Sequence, residues 1–136
     1  MQALVKQKGL ESKIICDSAG TIDYHRGKPA DARMQKHARL RGYELSSISR
    51  PFENEDFELF DLIITMDDDN YLQIKWFDQR KSYTDKIRRM TDFCSTSQIS
   101  EVPDPYYGGN QGFENVLDIL EDACQGLLEF VMNKKQ

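Results

Sequence analysis

Asp61-Leu62-Ile63-Ile64-Thr65-Met66-Asp67-Asp68-Asp69-Asn70 is a nearly continuous apolar run closed by four polar residues. A short apolar run with no helical spacing predicts a strand buried on both faces, as in a parallel sheet. The polar group at its carboxyl end predicts the cap of a helix from residue 69 to about residue 77. The same three aspartates are of the type that binds a divalent cation, but capping explains them with fewer assumptions. Strand followed directly by helix is the unit of α/β proteins, so this stretch sets the fold class.

Working outward, the same alternation recurs. Residues 1–8 carry one apolar helical face, with Gly9 as its stop. Residues 13–18, Lys-Ile-Ile-Cys-Asp-Ser, predict a short buried strand with polar residues at its carboxyl end. Residues 19–29 hold two glycines and a proline around Tyr24 and His25, a loop of the kind that carries binding residues in such folds. A helix is expected over residues 30–41, with Met34, Ala38 and the stem of His37 inward and Gly42 after it. Residues 43–51 read as extended, and 54–60 as a short helix capped by Asn54. Beyond the central helix, 78–85 is a polar loop and 86–93 a further strand. The spacing of Phe113, Val116, Leu117, Leu120, Cys124, Leu127, Leu128 and Val131 predicts a long closing helix. The expectation is a single α/β domain over residues 1–136, three layers deep, with a small parallel sheet between helices.

Composition narrows the function classes. Of 136 residues, 39% are hydrophobic and 30% charged, ordinary for a globular domain. A net charge of −5 argues against a binder of nucleic acid or anionic membrane. No apolar run approaches the roughly 20 residues of a membrane span. Cys16, Cys94 and Cys124 are odd in number and lack ligand spacing, so free thiols in a reducing cytoplasm are expected. Cys16 and Cys124 read as buried and Cys94 as exposed. With His25 and His37 the only histidines, no zinc site or other metal cofactor is expected. The basic run 81–89 reads as a solvated surface.

The most distinctive stretch is Val102-Pro103-Asp104-Pro105-Tyr106-Tyr107-Gly108-Gly109. Two prolines restrict the backbone of Asp104, two tyrosines follow, and two glycines supply a turn. A carboxyl held this stiffly beside aromatic rings suits an acid catalyst for an aromatic or phosphorylated substrate. The competing reading is a surface turn. Strand order favours the catalytic one. Asp17 with Ser18, Asp67, and Asp104 each follow a predicted strand, and in parallel sheets such positions share the carboxyl rim where ligands bind.

With these segments in place the chain resembles the low-molecular-weight protein tyrosine phosphatases. The resemblance rests on Asp17-Ser18-Ala19-Gly20-Thr21, on the strand ending in Met66-Asp67, on Asp104-Pro105-Tyr106-Tyr107-Gly108-Gly109, and on Phe113, Glu114, Val116 and Leu117 of the closing helix. It implies a four-stranded parallel sheet of order 2-1-3-4 and hydrolysis of phosphotyrosine or a small phosphate ester through a cysteinyl-phosphate intermediate, without a cofactor. Asp104 would protonate the leaving oxygen and then activate water. Tyr106 and Tyr107 would flank the substrate ring, with Tyr24 and His25 on the opposite wall. Ser18 would support the phosphate loop, and Asp67 would touch the rim.

One departure is large. The family's phosphate loop is a Cys followed after five residues by Arg-Ser, and the residues six beyond Cys16, Cys94 and Cys124 are Ile22, Ser100 and Phe130. The nucleophile loop and the central first strand are therefore expected to be absent, as in an N-terminally truncated member. Such a chain is expected to be inactive alone and to need a dimer or other partner to complete its sheet. A non-catalytic interaction protein is the alternative. An arsenate reductase of the same fold is a third reading, which would need a pair of resolving cysteines that Cys94 does not have in its region.

Overall fold

The computed structural model describes residues 1–21, 27–96 and 98–134. Its sheet is built on the expected βα unit. Ile63–Thr65 forms β1 and Ile87–Arg89 forms β2, running parallel with Ile63 opposite Ile87 and Thr65 opposite Arg89. Between them runs α4, Asp68–Phe77, preceded by α1 (Gln2–Gln7), α2 (Ala32–Leu40) and α3 (Asp56–Leu59). The closing helix α5 is Gly109–Lys134.

The period of two along β1 divides the core into two layers. Ile63 packs with Phe57, Ile74 and Ile87, and Phe52, Tyr71, Phe77 and Tyr83 lie around them. Ile64, one residue on, lies against the opposite cluster of Met90, Val102, Val116, Ala123, Cys124 and Leu127. Each such side chain contributes on the order of 1.5–3 kcal/mol when fully buried. The second cluster is assembled on α5, whose apolar stripe faces the sheet as its spacing predicts. At Gly126 the helix touches the 3₁₀ turn Met90–Phe93, and a Cβ there would stand 2.0 Å from the Phe93 carbonyl oxygen.

The helix expected over 30–41 begins at Ala32, because Asp31 caps it, accepting from the Arg33 backbone N–H at 2.8 Å. Ala38 is fully buried and the Gly42 backbone has φ +88°. The helix over 54–60 shrinks to four residues with no side-chain cap. Asn54 is not its cap, because the nearby carboxyl that orders this turn is Asp56, which accepts from the Glu53 N–H and from Arg50. The strand expected over 86–93 stops at Arg89, where the chain turns into the 3₁₀ segment.

The largest correction falls on residues 13–18. They form no strand among the described residues. Exposure alternates along them: Ile14 and Cys16 are half-buried while Ile15 and Asp17 face solvent, with Ile15 83% exposed. Apolar composition made the segment fit for a sheet, but a strand needs a partner ladder. The Cys16 carbonyl is instead bonded by the Gln2 side-chain amide at 3.2 Å. Cys16 is thus neither in a strand nor fully buried, Cys94 is half-buried rather than exposed, and Cys124 is buried as expected. No described helix is long and apolar enough to cross a membrane.

Candidate active site

Asp67 is the first residue past β1 to take a role. Its side chain accepts from the Asn70 backbone N–H at 2.8 Å, and the Asn70 amide oxygen accepts in return from the Asp67 N–H. This reciprocal box fixes the start of α4 at the carboxyl edge of the sheet. Capping is therefore what the first of the three aspartates does. Among the described residues no group of three His, Cys, Asp or Glu side chains could hold a metal ion.

Asp104 reaches the same edge by a different route. The Val102 N–H donates to the Met66 carbonyl at 2.8 Å, extending the contact at the end of β1, and the Val102 side chain is buried in the larger core cluster. Two residues on, Asp104 is exposed. Pro105 opens the 3₁₀ turn Pro105–Gly108, and Gly109 follows with φ +59°, a left-handed backbone that favours glycine. Gly112 then lets the first turn of α5 close on Pro105, for a Cβ there would lie 2.8 Å from the Pro105 carbonyl oxygen. The Asp-Pro-Tyr-Tyr-Gly-Gly segment is pinned at both ends, by the end of β1 and by the start of α5.

Asp17, beside Ser18, is held by a different contact. Arg50 bonds Asp17 at 3.1 Å and forks onto Asp56 at 3.0 and 3.1 Å. Burial opposes ionisation of Asp56, but the hydrogen bonds from Arg50 and from the Glu53 N–H, with the Arg50 charge, hold its carboxyl below the usual range. The structure thus brings Asp67 and Asp104 to the end of β1 and ties Asp17 to α3. Tyr24, His25 and the rings of Tyr106 and Tyr107 lie outside the described residues.

A cluster the sequence did not single out lies at the carboxyl end of β2 and the start of α4. Arg89, the last residue of β2, pairs with Asp68 in the first turn of α4. Its guanidinium carbon lies 4.0 Å from the centre of the Tyr71 ring, and it donates to the Ser100 carbonyl at 3.4 Å. Asp68 also accepts a hydrogen bond from Glu101. That bond, then burial, then the charges of Asp68, Asp67 and Asp69 push the Glu101 carboxyl up, while Arg89 first and Glu101 second hold Asp68 down. The basic run 81–89 is accordingly not a plain solvated face. Lys86 donates to the Phe57 carbonyl at 2.6 Å and Arg88 lies over Phe130. The available signal was a cation at a strand's carboxyl end in a chain whose preceding strand ends in acids.

Known proteins align with the chain along nearly its whole length. A family model described as low molecular weight phosphotyrosine protein phosphatase matches residues 1–136. Among curated proteins, slr0328 of Synechocystis sp. is 48% identical over 128 residues, covering 94% of this chain and 82% of that one. The low molecular weight protein-tyrosine-phosphatase YfkJ of Bacillus subtilis is 36% identical over 134 residues, covering 98% and 84%. Among solved structures, a protein tyrosine phosphatase from Entamoeba histolytica with Hepes in its active site superposes with a TM-score of 0.91 at 47% identity, over 99% of this chain and 86% of that one.

Proposed function

Since the chain belongs to the low molecular weight phosphotyrosine protein phosphatase family, we propose that it forms the acid-bearing body of a phosphotyrosine phosphatase, with Asp104 as the proton donor. The observation that carries this reading is the two-ended anchoring of the Asp104 segment at the carboxyl edge of the sheet. In the reaction, a thiolate forms an S–P bond as the P–O bond to the tyrosyl oxygen breaks, and the Asp104 carboxylic acid gives its proton to that oxygen. The Asp104 carboxylate then takes a proton from water as the water oxygen attacks phosphorus, the S–P bond breaks and phosphate leaves. Tyr106 and Tyr107 are assigned to one wall of the ring slot, Tyr24 and His25 to the other, Ser18 to support of the phosphate loop and Asp67 to the rim. Substrates are phosphotyrosine proteins or small phosphate esters, and a cytoplasmic setting suits the three free thiols.

The 136 residues hold no Cys-(five residues)-Arg, so this polypeptide alone is proposed to be inactive. Purified, it should hydrolyse p-nitrophenyl phosphate no faster than background. Turnover abolished by Asp104→Asn would overturn that.

A second reading is favoured by residues 13–18, which have a strand's composition but join no strand ladder among the described residues: a non-catalytic member that offers this segment to a second copy or another partner. The intact mass of the protein from its natural source separates the two. A product heavier than 15.8 kDa that yields a Cys-(five residues)-Arg-Ser peptide supports the enzyme. A product of 15.8 kDa supports the interaction protein.

A further inference from the structure

Asp104 sits at the end of a short lever. Pro103 locks its own φ, so few soft torsions separate the Val102 backbone from Asp104. Whatever fixes residues 100–102 therefore fixes the acid. Three consecutive residues are held there, each by a different element. The Ser100 carbonyl accepts from Thr91 Oγ1 at 3.1 Å and from Arg89 at 3.4 Å, Glu101 bonds Asp68, and the Val102 N–H bonds Met66 at 2.8 Å. Arg89 is common to two of the three, reaching Ser100 directly and Glu101 through Asp68. Its stacking on Tyr71 adds α4 to the same junction.

We propose that Arg89 is a positioning residue for Asp104, the guanidinium that locks the 100–102 arm to the ends of β2 and α4. The proposal rests on the reading of Asp104 as the acid. Charge explains why a cation stands there. The arm brings Glu101 against Asp68 with Asp67 and Asp69 close by, so the arm would meet a wholly acidic helix start if Arg89 were removed. Asp92, whose carboxylate accepts from the Arg89 N–H, faces the same guanidinium from the 3₁₀ turn. The planar fork also matters. One nitrogen serves both Asp68 and Ser100 while the flat face covers Tyr71, a combination a lysine ammonium cannot reproduce. An acid displaced by about 1 Å loses on the order of 10²-fold in rate, so an arm anchor acts on chemistry without touching substrate.

Residue-resolved amide hydrogen exchange on the 136-residue chain tests this. In Arg89→Met, the Val102 N–H should exchange at least about tenfold faster, with α5 amides at Leu127 and Leu128 unchanged. Arg89→Lys should restore part of the protection, because it returns the charge without the fork. In Arg89→Met, after correction for intrinsic exchange, the Val102 rate should rise further from acid to neutral pH, as Glu101 loses the proton it shares with Asp68. Wild type should show no such rise. Val102 protection unchanged by Arg89→Met would overturn the proposal, as would loosening spread evenly through α5. A loosened arm together with unchanged turnover on Asp104→Ala, in a form carrying the nucleophile, would mean that Arg89 anchors a loop with no acid function. That too overturns the positioning role, and it separates that failure from failure of the anchor itself.

Discussion

At the scale of single residues, two carboxyls show how environment assigns different work to one functional group. Asp104 is exposed and stiffened by prolines, and its proposed task is proton transfer. In a form of the protein that carries a Cys-(five residues)-Arg-Ser loop, Asp104→Ala should lower kcat by about 10²–10⁴ with little change in KM for an aryl phosphate. An unaltered kcat would remove Asp104 from the mechanism. Asp56 is 5% exposed and its task is structural. Its folded pKa is lowered below the ordinary 3.8, so the stability it contributes is present above about 3.8 and is lost as pH falls through the folded value. Arg50→Met should cost about 1–3 kcal/mol at neutral pH, because a buried carboxylate loses its forked partner. The acid side of its stability–pH curve should flatten, since burial without Arg50 favours the protonated form. Urea unfolding from pH 3 to pH 7 checks both. An acid limb as steep as in wild type would show that other carboxylates set it.

At the scale of elements, the contact between α5 and the 90–96 segment decides more than any strand pair. Gly126→Ala puts two ordinary expectations in opposition. Alanine in a helix interior is favoured over glycine by about 1 kcal/mol, whereas a Cβ at 2.0 Å from the Phe93 carbonyl requires the elements to separate. Overpacking of this kind costs about 1–3 kcal/mol or more, so the net change should be destabilising, read as a lower melting temperature. A more stable variant would mean that the 3₁₀ turn yields freely. One turn earlier on the same helix, Asp122 accepts from the backbone N–H and hydroxyl groups of both Ser95 and Thr96, at 2.8–3.1 Å. Those bonds hold its carboxyl well below the usual carboxylate range. Asp122→Ala should free the Ser95 and Thr96 amides to exchange while leaving β1 protected. Protection retained at both amides would show the loop to be held by other contacts.

At the scale of the whole molecule, the two strands paired among the described residues make a sheet too small to hold a domain by itself. The structure instead depends on α5 and the two clusters on either side of β1. Leu127 is 6% exposed in the larger cluster, and Leu127→Ala should cost about 2–5 kcal/mol in a single cooperative transition. Much apolar surface stays outside these clusters. Ile15, Leu40, Leu59, Leu72 and Trp76 are all more than half exposed. Trp76 is the one tryptophan of the chain and is 68% exposed. Its emission in the native state should therefore lie close to that of free tryptophan, be quenched by iodide and change little on unfolding. A strongly blue-shifted native spectrum would show that this face is covered, by a second copy or otherwise.

What the sequence determined by itself were features written in local pattern. The apolar run before Asp67 determined a strand, Asp67 and Asn70 a helix start, and the three- and four-residue spacing from Phe113 a closing helix, because period and capping are set by near neighbours. The α/β class and the family followed from those patterns and from Asp104-Pro105-Tyr106-Tyr107. What only the tertiary structure decided depended on partners distant in the chain. Residues 13–18 have a strand's composition, but composition supplies no ladder, and no described strand runs beside them. Asn54 looked like a cap, but Arg50 draws Asp56 into ordering that turn. Arg89 was one cation in a basic run, and its meaning depends on Asp68, 21 residues back, and on Ser100, 11 residues on. Charge pairing across the end of a sheet has no sequence period, so it becomes legible only once the strands are placed.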